Sequence, residues 1–156
     1  DYKVPVFILF KRDIWKKLYN IDEGVLLEEI ESSIFNNKTE GNFSLLFVEI
    51  LSAYDEIKDE KYYDISKLIL DKLLSVSPDN VYWKINKFQL LKRKRKLSEN
   101  ELQELEDLEK ANNDKKVLCA INILLENKRK AKNLLDEMEQ EDRELFLTYP
   151  IYNLLI

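Results

Sequence analysis

The chain has 156 residues, 45% of them hydrophobic and 35% charged, with a formal net charge of −5. That length suits one ordinary domain with a real core, and the acidic balance weighs against generic nucleic-acid binding while leaving room for a local basic patch. Two glycines and three prolines favour helices joined by short polar turns over sheets and tight hairpins, while one cysteine and no histidine exclude an internal disulfide, Ser-His or Cys-His catalysis and His-ligated metals.

From the N-terminus, Val4–Phe10 is an apolar run containing Pro5. Periodicity alone leaves it either a helix, striped by Phe7, Phe10, Ile14 and Leu18, or a last strand of an upstream domain. Asn20 and Glu23 have capping-box spacing ahead of a second helix striped by Leu26, Leu27, Ile30 and Ile34. The polar segment Asn36–Asn42 is the expected internal boundary, dividing an N-terminal helical piece, 1–41, from a repeat domain, 42–156.

From Phe43 the pattern is regular. Phe43, Leu46, Phe47, Ile50, Tyr54 and Ile57 make one stripe; Asp59 caps a next helix striped by Tyr62, Ile65, Ile69, Leu73 and Val76. Ser77-Pro78-Asp79-Asn80 breaks the chain, since proline cannot continue a helix interior. A helix over Val81–Lys96 is predicted with two apolar sides, Val81, Ile85, Phe88 and Leu91 on one, Trp83 and Leu90 on the other. Ser98 and Glu101 form a capping box for a helix with only a narrow stripe (Leu102, Leu105, Leu108, Ala111), which therefore belongs at the outside. Asn112–Asp114 then turns the chain into Val117–Leu125, in which eight of nine residues are apolar. A helix apolar all round is a buried one, and this one is too short to cross a bilayer, which takes ~20 residues. Glu126–Lys128 leads into a helix with Ala131, Leu134, Leu135 and Met138 on one side. A short helix ending at Tyr149-Pro150 and an apolar tail, Ile151–Ile156, close the chain. About eight to nine helices are expected in all.

Three helix–turn–helix units thus begin near Phe43, Val81 and Lys115, at offsets of 38 and 34 residues, the spacing of helical solenoids. The unit Cys119/Ala120, Ala131, Leu135 and Met138 resembles a tetratricopeptide repeat (TPR). Leu70, Leu73 and Pro78 are similar to the end of that family's second helix, and Trp83 sits near its aromatic position. Ser66 stands at the small-residue site of the first unit, and the middle unit has no small residue there. Over roughly 43–138 the resemblance implies an all-α stack of antiparallel helix pairs, with a groove lined by the first helix of each pair for a peptide or partner protein.

Candidate chemistry is sparse. One cysteine cannot build a thiolate zinc site, and Gly24 and Gly41 alone cannot make a phosphate-cradling loop. Cys119, in the apolar helix, reads as a small buried hydrophobe. The acids Asp55, Glu56, Asp59, Glu60 and Asp64 read as caps and solvated surface. No catalytic, cofactor-binding or metal-ligating residues are assigned, and no cofactor. The partner-binding candidates are Trp83, Lys87, Leu90 and Asn122, with Trp83 and Leu90 open to either a core or a groove reading. The basic patch Lys92, Arg93, Lys94, Arg95 and Lys96 either pairs with Glu99, Glu101, Glu104, Glu106 and Asp107 of the following helix or meets an anionic partner.

The resulting expectation is a noncovalent protein- or peptide-binding scaffold. It would belong to a larger protein, since the sequence starts at Asp1 without a Met, and to a cytoplasmic one, since it shows no signal or membrane segment; a bacterial source is also expected. Two alternatives stay open. One is an accessory domain of an enzyme whose catalytic part lies elsewhere in the chain. The other is a helical domain touching nucleic acid through Lys92–Lys96.

Overall fold

A computed structural model of the chain describes residues 40–156. The Val4–Phe10 segment and the helix expected after Asn20 lie outside the described residues. Among the described residues the fold is all-α. Seven α-helices are followed by a 3-10 turn, against the eight to nine helices expected for the whole chain. No helix among them is long and apolar enough to cross a membrane. Contacts divide the described residues into two compact units, one ending at Pro78 and the other spanning Asp79–Ile156.

In the first unit, α1 (Glu40–Ile57) and α2 (Glu60–Val76) form a hairpin. The predicted stripe is the buried one: Phe43, Leu46, Phe47, Ile50 and Tyr54 are buried on α1, and Tyr62, Ile65, Ile69 and Leu73 on α2. Ile57 ends the stripe in solvent. Gly41, expected in a boundary loop, instead lies in the first turn of α1. The turn is closed by Lys58, whose φ of 63° is left-handed and whose N–H donates to Tyr54 O at 2.7 Å, while Asp59 caps α2 by accepting from Lys61 N. At the far end of the hairpin the Ser77 hydroxyl donates to Glu40. Ser66, at the small-residue site, is fully buried and donates its hydroxyl to Tyr62 O at 2.8 Å.

The second unit is built around one helix. It contains α3 (Val81–Lys92), α4 (Glu99–Lys110), α5 (Lys115–Leu124), α6 (Lys128–Glu137), α7 (Gln140–Leu147) and the 3-10 turn Pro150–Leu154. Seven residues of the ten-residue α5 are buried, as its continuous apolar run requires. The core around it takes Ile85 and Phe88 from α3, Leu105 from α4, and Ala131, Leu135 and Met138 from α6 and its end. Phe146 of α7, with Ile151 and Leu155 of the tail, completes it. α5 and α6 form a close hairpin, whereas α3 and α4 each pack on α5 more than on one another.

One boundary needs correction. The helix expected over Val81–Lys96 stops at Lys92, because Arg93, Lys94 and Arg95 N–H groups reach back to Leu90 and Leu91 carbonyls in a tightened last turn. Five adjacent cations repel one another along a helix, and the Arg93 guanidinium stabilises the turn by donating to Gln89 O at 2.9 Å and Pro150 O at 3.0 Å.

Candidate functional site

The four partner-binding candidates occupy different environments. Trp83 is 6% exposed and Leu90 3%, so both are buried side chains. The Trp83 indole Nε1 is buried with no hydrogen-bond partner among the described residues. Lys87 is half-buried, with its Nζ 4.8 Å from the centre of the Phe88 ring. The α3 side chains that join the core around α5 are Ile85 and Phe88, with Val81 and Leu91 packed against it at partial burial, which is the first of the two apolar sides expected. Asn122 is fully buried, and its partners lie on α4, on α5 itself and in the α5–α6 turn.

Asn122 is the centre of a polar network inside this unit. Its amide donates to Glu109 and to Leu118 O at 2.8 Å, and its Oδ1 accepts from Asn127 Nδ2 at 3.2 Å. Lys130 Nζ donates to the same Glu109 oxygen at 3.0 Å. Burial would raise the Glu109 pKa, but the hydrogen bonds from Lys130 and Asn122 outweigh it and hold the carboxyl below its ordinary value. The same corner carries a C-terminal cap on α5. Asn127 N–H donates to Asn122 O at 2.9 Å, Glu126 N–H to Ile123 O at 3.1 Å, and Glu126 sits at φ 62°. That is the six-to-one and five-to-two pattern of a Schellman end, made here without glycine. Network and cap together fix the turn from which α6 starts.

The basic run Lys92–Lys96 is largely drawn into the fold. Lys92 donates to Leu124 O at 3.2 Å and pairs with Glu126 at 3.3 Å. Arg93 is held by Gln89 and Pro150, as above. Arg95 makes a two-pronged contact with Glu101, at 2.7 and 2.9 Å. Of the acids expected to pair with the run, Glu101 therefore takes the Arg95 fork. It also accepts from Ser98 N at 2.8 Å, while Glu101 N–H donates to the Ser98 hydroxyl at 3.2 Å. Arg95 first, and the Ser98 N–H second, hold its pKa down at about 2.

A second basic segment, not singled out in the sequence, carries the less neutralised charge. Lys128, Arg129, Lys130 and Lys132 are all exposed. Lys130 pairs with Glu109, but no carboxylate among the described residues pairs with Lys128, Arg129 or Lys132. Asn127, Lys128, Arg129, Lys130 and Asn133 line a shallow notch of about 390 Å³. The sequence signal was present: four cations in five residues, with no acid between Glu126 and Asp136. It was masked by the longer run at Lys92–Lys96.

Among the described residues no group of three or more His, Cys, Asp or Glu side chains is placed to hold a metal ion. Cys119 is buried, its Sγ donates to Ala131 O at 3.3 Å, and burial pushes its pKa up to about 12, far from a reactive thiolate. Compared with family models, curated proteins and solved structures, the chain matches none.

Proposed function

We propose that this chain is a noncovalent binding module, a TPR-like stack of helix pairs that holds a protein or peptide segment within a larger cytoplasmic protein. The hairpins α1–α2 and α5–α6 support the repeat reading, and the looser α3–α4 pair is its main departure. The observation that carries the binding reading is the α5–α6 corner. There a polar network centred on the buried Asn122, joining Glu109, Asn127 and Lys130, fixes a turn beside a solvent-facing notch lined by amides and cations. A surface preorganised in this way binds without losing as much side-chain freedom as a mobile one.

The test is cross-linking in cells with the chain as bait, followed by mass spectrometry. One protein, resistant to nuclease treatment and recovered reciprocally when it serves as bait, is the expected result. Recovery of nucleic acid alone, or of no reciprocal protein, would overturn the reading.

A further inference from the structure

We infer that the exposed basic face at the start of α6 is the contact site for a short acidic segment of a protein partner. This rests on the binding-module reading above and names the chemistry of what is bound. Lys128 and Lys132 are four residues apart on α6, as are Arg129 and Asn133, so these side chains stand side by side along one face of the helix. All four are exposed. Two acids of this corner are already engaged, Glu126 by Lys92 at 3.3 Å and Glu109 by Lys130 at 3.0 Å, and the next acid along α6 is Asp136, one turn beyond Lys132. Three positive charges therefore face solvent without an ion pair from the described chain, around a notch whose lining holds no carboxylate.

The arrangement runs against the stability of α6. Cations in a first turn meet the positive end of the helix dipole, where acids would be favourable. An external anion turns that unfavourable charge into a binding contribution. The footprint also limits the ligand. α6 is ten residues long, about 15 Å, and its other end carries exposed Asp136 and Glu137. Screening extends only ~8 Å at physiological salt, so the positive field covers about half of the helix before acids cancel it. A few adjacent carboxylates or a phosphorylated side chain fit that length. A long polyanion would run onto acidic surface, and the notch offers no aromatic ring on which a base could stack. The observations favour an acidic peptide over nucleic acid.

The experiment uses the full chain, isotope-labelled, titrated with a tetra-glutamate peptide and separately with a thymidine oligonucleotide at about 50 mM and about 500 mM salt. Amide resonances of Asn127–Asn133 should shift with tetra-glutamate and return at high salt. Lys128→Glu/Arg129→Glu/Lys132→Glu should weaken binding about tenfold or more, and the neutral Lys128→Gln/Arg129→Gln/Lys132→Gln should do so to a lesser degree. Lys67→Glu on α2 should leave it within about twofold. The reversed variant should fold, because Glu suits a helix start. Shifts mapping elsewhere, variants that bind like wild type, or tighter binding of the oligonucleotide would each overturn the assignment. If the peptide fails while reciprocal protein capture succeeds, the basic face is wrong and the binding module stands. If capture fails while the peptide binds here, the site stands and the module reading falls.

Discussion

Burial alone sets the chemistry of the one thiol. Cys119 lies fully buried on α5 with its pKa pushed up to about 12, so at neutral pH almost none of it is thiolate. An aromatic disulfide reagent at pH about 8 should therefore modify the native chain no faster than it unfolds, and react at once in denaturant. Rapid modification without denaturant would show that α5 is not the closed centre described here. Cys119 was readable from the sequence because its neighbours were apolar on every side. Trp83 was not. An apolar residue on the second side of a helix has the same pattern whether it is covered or lines a groove, and only its 6% exposure separates the two. Asn122 was visible as the one polar break in α5, but its link to Glu109 was not, since no local spacing connects positions on separate helices.

The starts of α2, α4 and α5 were legible, whereas the start of α1 and the way α1 and α5 end were not. Ser98 and Glu101 announce α4, and the capping box forms as spaced; Asp59 and Asp114 likewise accept from the first N–H groups of α2 and α5. The ends of α1 and α5 use Lys58 and Glu126 in the left-handed region, where sequence reading looks for glycine. The α4 cap also makes a pH prediction. Glu101 has a folded-state pKa of about 2, below its ordinary 4.5, because the Arg95 fork and the Ser98 N–H favour the carboxylate. A depressed pKa gives stability that is complete above the unfolded value and lost as pH falls from 4.5 through about 2. Glu101→Gln should therefore cost about 1 kcal/mol at neutral pH. In paired denaturant titrations the gap between wild type and variant should close over that acidic window. A gap that is constant with pH would mean that the Arg95–Glu101 charge contact adds nothing to the cap.

At the scale of the molecule, the class was readable and the assembly was not. Scarce glycine and 3–4 spacing dictated helices, but periodicity gives a helix a face without naming its neighbour. Thus α3 and α4 read as one hairpin, yet each packs mainly on α5. What decides the packing is that α5 must be covered on all sides. Among the described residues, the core that covers it runs from Ile85 and Phe88 through Leu105, Ala131, Leu135 and Phe146 to Ile151 and Leu155, all within Asp79–Ile156. A fragment spanning 79–156 should then fold alone, with a cooperative helical melt, although a chain of that size keeps only a modest margin of stability. Ile121, fully buried at the centre of α5, sets the scale of that margin. Ile121→Ala should remove about 2–5 kcal/mol, a large share of a total of ~5–15, whereas Leu145→Ala, at 46% exposed, should change it by about 0.5 or less. Circular dichroism against temperature on the fragment and both variants checks this. A broad, sloping melt for the unmutated fragment, or equal losses at Ile121 and Leu145, would show that the closed core around α5 does not by itself hold the unit together.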